Sequence, residues 1–321
     1  MVELADTFSK RGGKYLFLDE IHKYPNWSVE LKNIYDDFPD LKVVFTGSSM
    51  LEILNSKADL SRRAVVYYMQ GLSFRKYLNM NLKTDFEIIN LTDLLQNQRE
   101  FSSMILNKIK PLEHFPAYLK HGYYPFYTEA PMLYYHRIEE TLNMVLEIEL
   151  PLLRGVEVAY IKKLKQLLQI IAESVPFIPN VSKLSQRIGV ERITFTNYLY
   201  HLSEAGLTKH LYKDADGVNK LQKPDKIYLE NSNISYALVA ANTDIGNIRE
   251  TFFLNQLSFK NRVEYVNKGD FMVNDKFTFE VGGKSKNDEQ IKNIKNSFVV
   301  ADNIEYGFQN KIPLWLFGFL Y

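Results

Sequence analysis

The chain has 321 residues, 46% of them hydrophobic and 24% charged, with 39 Lys and Arg against 38 Asp and Glu. A net charge of +1 excludes a global field that would draw the protein to nucleic acid or to an acidic surface, and the length suits two or three domains. The lack of cysteine excludes disulfides, thiolate metal sites and Cys nucleophiles, as expected for a reducing cytoplasm. Residues 1–14 lack the apolar core of a signal peptide. No apolar run approaches the roughly 18 residues of a membrane span, so no membrane contact is expected.

The predicted elements begin with a strand over 14–18, a helix over 27–38 and a second strand over 41–46. A short helix over 50–55, a third strand over 65–69 and a helix from 73 to 80 follow. Strands alternating with helices imply a parallel sheet with helices on its faces. Residues 81–175 read as a helical connector, with apolar periodicity over 101–109, 134–153 and 161–174 and a Pro-rich bend over 115–131. The run 175–180 contains Pro176 and Pro179 and is the best boundary in the chain. Helices over 181–188 and 193–205 then flank a Gly189-Val190 turn, and 207–212 with 226–229 read as a hairpin. The remainder predicts a helix over 245–257, strands over 263–266, 270–273 and 276–281, a polar helix over 288–297, and strands over 298–301 and 312–316. The fold class is therefore α/β, in four parts: 1–80, 81–175, 176–230 and 231–321.

Tyr15-Leu16-Phe17-Leu18-Asp19-Glu20 is an apolar run that ends in two carboxylates. A buried parallel strand delivers side chains to a site at its carboxyl end. In ATPase chemistry the first such acid holds Mg²⁺ through water and the second orients the attacking water. The second strand ends in Thr46-Gly47-Ser48-Ser49, and Leu60-Ser61-Arg62-Arg63 precedes the third.

This ordered set resembles a family of prokaryotic AAA-type ATPases. Residues 16–27 look like its Walker B segment, 43–49 like its sensor 1, and 60–64 with 72–78 like its closing segment. The resemblance implies Asp19 as the Mg²⁺ acid, Glu20 as the water-orienting base, Ser48 as sensor 1 and Arg63 as the arginine sensor. It implies ATP and Mg²⁺ as family cofactors, and a C-terminal region holding a winged helix and a restriction-nuclease-like fold.

The departure lies in the phosphate loop. No Gly-x-x-x-x-Gly-Lys-Ser/Thr occurs in the 321 residues: Lys14 is followed by Tyr15, and Gly282-Gly283-Lys284-Ser285 has Thr278 where the first glycine is required. Without the loop no row of backbone N–H groups cradles the phosphates. The expectation is a chain that neither binds ATP tightly nor hydrolyses it alone, either as a piece of a longer protein or as a pseudo-ATPase.

Two other readings stand beside this one. The helix-turn-helix presents Thr194, Thr196, Asn197 and Tyr200, with Lys213, Lys220 and Lys223 on the hairpin opposed by Asp214 and Asp216, which fits a DNA- or protein-binding module, or self-association. Glu250, Asp270, Glu280 and Lys284 resemble the acids and lysine of a PD-(D/E)xK nuclease that holds Mg²⁺, but the lysine belongs two residues after the second acid, where Gly282 stands. The six histidines show no metal-like pairing.

Overall fold

The computed structural model describes residues 1–47, 60–174, 177–213, 223–239 and 244–321. The predicted helix over 50–55, Ser48 and the hairpin lysine Lys220 lie outside them. The chain divides into two compact units. The first comprises Met1–Met69, Met144–Ile161 and Glu204–Gly206, and the second holds the rest.

In the first unit, helix α1 (Val2–Lys10) precedes strand β1 (Tyr15–Leu18), and helix α2 (Trp27–Asp37) precedes strand β2 (Lys42–Phe45). The strands pair in parallel, Tyr15 with Lys42 through Leu18 with Phe45. Successive side chains of a strand point to opposite faces. Leu16 therefore joins Ala5, Ile21, Trp27, Leu31, Ile34, Leu41 and Leu60 in one buried cluster, against which Leu18, Val43 and Phe45 pack. Tyr15, Phe17 and Val44 stand 66%, 72% and 50% exposed. Helix α1 was not legible in the mixed residues 1–14; it is anchored where the Met1 amino group donates to Glu30 Oε2 at 2.8 Å.

The third predicted strand is absent. Residues 64–70 carry no secondary structure, and Val65, Tyr67 and Met69 are 76%, 88% and 100% exposed. A β-branched and aromatic run is a strand only where a neighbour completes its ladder. The bare apolar face of β1 and β2 leads to a first prediction. Phe17→Ser lowers the fluorescence of a bound hydrophobic dye, yet changes stability by no more than about 0.5 kcal/mol, because the ring is mostly in water already.

The second unit opens with α3 (Phe74–Leu82), capped by the Ser73 hydroxyl, which accepts from Lys76 N–H at 3.2 Å. Helices α4 (Leu91–Leu106) and α5 (Pro111–His121) follow. Helix α5 runs through the start of the expected bend: Pro111 sits in its first turn, where no N–H is needed, and Phe115, Tyr118 and Leu119 bury one face. The single helix expected over 134–153 is interrupted. Helix α6 (Tyr134–Met144) passes through a five-residue π turn (Val145–Glu149) into α7 (Leu150–Arg154), and the π turn and α7 belong to the first unit. Pro151 has no N–H to give the turn before it, so the ladder widens there.

Helix α8 (Ile161–Glu173) precedes α9 (Val181–Ile188) and α10 (Arg192–Glu204). The turn between the last two passes through Gly189 at φ +72°, where a side chain would be strained. Strands β3 (Thr208–Leu211) and β4 (Lys226–Leu229) form an antiparallel pair.

Helices α11 (Ser232–Val239) and α12 (Ile245–Ser258) lead to five short strands. These are β5 (Val263–Glu264), β6 (Phe271–Val273), β7 (Phe277–Gly282), β8 (Ser297–Ala301) and β9 (Lys311–Pro313), in that order across one sheet. The first three pair antiparallel and the last three parallel. Two expectations fail here. Residues 288–296 form turns and bends and Ser297 already belongs to β8, since only Ile291 among 288–297 is buried and no apolar stripe exists to dock a helix. The last strand stops at Pro313, and Leu314–Phe319 coil into a buried 3₁₀ segment.

Candidate active site

The tips of β1 and β2 bring together three polar side chains. Asp19 and Glu20 follow β1 directly, and Thr46 follows β2. The Thr46 hydroxyl donates to Asp19 Oδ1 and accepts from the Glu20 N–H at 3.2 Å. Main-chain bonds continue the join: Thr46 N–H donates to Leu18 O, and Ile21 N–H to Thr46 O, both at 2.9 Å. Glu20 itself turns into the left-handed region at φ 51°, which ends the strand and starts a short 3₁₀ turn, Ile21–Lys23. Its carboxylate lies 2.9 Å from Lys23 Nζ and 3.9 Å from His22 Nε2.

Arg63 is not left open. Its guanidinium forks Asp36 at the end of α2, Nε to Oδ1 and a terminal nitrogen to Oδ2, each at 3.0 Å. The hydrogen bonds from Arg63 hold the Asp36 carboxyl below its ordinary range, and the same bonds raise Arg63. Sequence reasoning missed Thr46 and Lys23. Thr46 had a signal, its place at the end of the neighbouring strand; Lys23 had none.

The second acidic group is assembled from four elements. Glu250 comes from α12, Asp270 from the residue before β6, Glu280 from β7, and Lys226 and Tyr228 from β4. Tyr228 donates to Glu250 Oε2 at 2.6 Å, and Lys226 Nζ lies 3.7 Å from Asp270 Oδ1. The other Asp270 oxygen accepts from Val281 N–H at 2.8 Å. Glu280 is paired with Lys286, not with Lys284. Gly282 explains the substitution: a Cβ there would come within 2.7 Å of Lys286 Cδ, so the missing side chain leaves the space through which Lys286 folds back onto the strand. Lys284 offers only its carbonyl, which accepts from Lys311 Nζ at 2.8 Å.

The electrostatics follow from burial. Glu250 is pushed up to about 7, first by burial and then by the Asp270 charge. Glu280 is raised by burial, with Lys286 opposing; its Oε2 is buried without a hydrogen-bond partner. Burial works to lower Lys286, but its bond to Glu280 and the surrounding carboxylates outweigh that and raise it. Two lysines thus sit where a dication would be needed to balance these acids. Among the described residues no three His, Asp or Glu side chains form a group able to hold a metal ion.

Comparison with known proteins divides along the chain. Residues 2–78 match the family model of an AAA domain, which includes β1, β2 and the acid pair. Residues 112–245 match a domain of unknown function, DUF8612. The uncharacterized protein MJ1637 of Methanocaldococcus jannaschii is 27% identical over 217 residues, or 66% of this chain. The chain spans 45% of that protein's length. Among solved structures, the Walker-type ATPase PABY2304 of Pyrococcus abyssi aligns with 74% of this chain and 66% of its own, at 12% identity and a TM-score of 0.37. No helix among the described residues is long and apolar enough to cross a membrane.

Proposed function

We propose that the β1–β2 tip is the acidic half of a nucleotide-hydrolysing site of the AAA type. The observation that carries this reading is the bonded trio Asp19, Glu20 and Thr46 at the carboxyl ends of two parallel strands, within a segment similar to AAA domains. An exposed carboxylate at a strand end suits a Mg²⁺ ion held through water, and such an ion would neutralise phosphate charge. Asp19 is the residue to hold it. Glu20 is the residue to orient water, once it exchanges Lys23 for that water. Ser48 and Arg63 are proposed to contact the terminal phosphate, which for Arg63 requires release of Asp36.

These 321 residues contain no phosphate loop, so the chain alone does not bind ATP tightly. Calorimetry on the chain is expected to show no micromolar ATP binding; a micromolar isotherm overturns that statement. Joining a strand and phosphate loop from a matching AAA domain upstream of Met1 is expected to yield ATP hydrolysis. Glu20→Gln should then cut the rate by about a hundredfold or more while ATP still binds. Hydrolysis indifferent to Glu20 would sink the assignment.

The α9–α10 and β3–β4 region supports a second reading, a winged-helix module. Arg192, Ile193, Asn197 and Tyr200 are exposed on α10, with Ile193 74% and Tyr200 54% in contact with solvent. An exposed Ile and Tyr beside a single Arg favour a protein partner over phosphate contacts, which need several cations. Duplex DNA titrated at rising salt is expected to show no steep loss of affinity; a steep slope would make this a DNA reader. A Mg²⁺-dependent nuclease at Glu250, Asp270 and Glu280 is the weakest reading, because Lys226 and Lys286 already hold two of the acids.

A further inference from the structure

We infer that Thr46 is the positioning residue for the Asp19–Glu20 pair, acting through both functions of its hydroxyl. The inference rests on the reading of this tip as a nucleotide-hydrolysing site. A threonine hydroxyl carries one donor and two acceptor lone pairs. Here the donor goes to Asp19 Oδ1 and an acceptor takes the Glu20 N–H, so one oxygen bridges the two residues. The Asp19 contact is charge-assisted, the stronger kind.

The bridge meets a geometric need. In a continued strand, Asp19 and Glu20 would project to opposite faces. The chain leaves the strand at Glu20 instead, with φ 51° and ψ 39°. A non-glycine residue keeps that left-handed conformation only where surrounding bonds compensate. Thr46 supplies four of the bonds around the turn: its main chain holds Leu18 O and Ile21 N–H, and its hydroxyl holds the two residues between them. Lys23 adds its N–H to Glu20 O at 3.1 Å and its ammonium to the Glu20 carboxylate. Leu18 through Ile21 are therefore tied to a single residue of the neighbouring strand. Removing the hydroxyl leaves the Leu18 and Ile21 bonds intact and takes away the bonds to the Asp19 carboxylate and the Glu20 N–H, while the Lys23 contacts of Glu20 remain.

Two substitutions separate the hydroxyl from the shape. Thr46→Val keeps the volume and loses both bonds; Thr46→Ser keeps both and loses a methyl group. On the 321-residue chain, amide hydrogen exchange and Mn²⁺-induced broadening of the Asp19 and Glu20 NMR signals are measured together. Thr46→Val is expected to speed Glu20 amide exchange and to weaken Mn²⁺ binding, each by about fivefold, the size of one net hydrogen bond. The Ile21 amide should stay protected, and Thr46→Ser should restore both readings. If Thr46→Val leaves Glu20 exchange unchanged, the bridge does not hold the turn and the inference falls. Faster exchange with unaltered Mn²⁺ affinity makes Thr46 merely structural, and also overturns it. Failure of the underlying reading looks different: Mn²⁺ broadening in the unsubstituted chain that is absent, or that Asp19→Asn does not reduce, removes the acid site itself and the inference with it.

Discussion

Glu250→Gln is expected to stabilise the second unit by about 3 kcal/mol at pH 8 and to leave it nearly unchanged at pH 5. The magnitude comes from a carboxyl raised from 4.5 to about 7, at roughly 1.4 kcal/mol per unit. The sign follows from proton uptake. Between pH 4.5 and about 7 the folded state keeps a proton on Glu250 that the unfolded chain has released. Raising the pH through that window therefore removes stability, and above it the folded protein bears the full cost of a buried charge beside Asp270. Gln at this position retains a carbonyl to accept from the Tyr228 hydroxyl, now 2.6 Å from Glu250 Oε2, and carries no charge. Lys226 and Glu280 also face Glu250 and act in opposite senses. Trp315, buried in this unit, reports its urea unfolding once Trp27 in the first unit is replaced by Phe. Equal effects of Glu250→Gln at the two pH values would show that Glu250 is ionised in the fold at pH 5.

Phe253→Ala should cost the same unit about 4 kcal/mol, the usual range for emptying a fully buried phenyl site. Phe253 lies on α12 with no exposed surface, and its ring centroid sits 5.3 Å from Phe271, 5.1 Å from Phe279 and 4.8 Å from Phe317. Those rings belong to β6, β7 and the buried 3₁₀ segment, so one side chain joins helix, sheet and chain end. Collapse into the space is opposed because all three partners are themselves held in strands or packed turns. The urea midpoint of Trp315 fluorescence reads the loss, with an unchanged slope marking an unchanged transition. A loss below about 1.5 kcal/mol would mean that the rings close the gap, and the α12–sheet contact would then be looser than described.

What was legible in the chain is what neighbours along it encode. The apolar run into Asp19-Glu20 read as a parallel strand with acids at its end, and β1 pairs in that sense with β2. Gly189 marked the turn that ends α9, and it takes positive φ. The alternation of 226–229 with 207–212 read as a hairpin and is one. Where local pattern and packing disagreed, packing decided: Val65–Met69 has strand chemistry without a ladder, and Pro151 widened a helix whose periodicity runs straight through it.

The residue types at the acid tip, the order of its motifs and the absence of a phosphate loop from these 321 residues can all be read along the chain. Folding in three dimensions set which side chains meet. It chose Thr46 as the group bridging Asp19 and Glu20, Asp36 as the partner of Arg63, and Lys286 over Lys284 at Glu280. The physical reason is range. Periodicity and turn chemistry act over a few residues, and composition reveals them. A hydroxyl reaching a carboxylate 27 positions away, or a lysine folding through the gap left by Gly282, depends on register between strands and on space that a neighbour leaves empty.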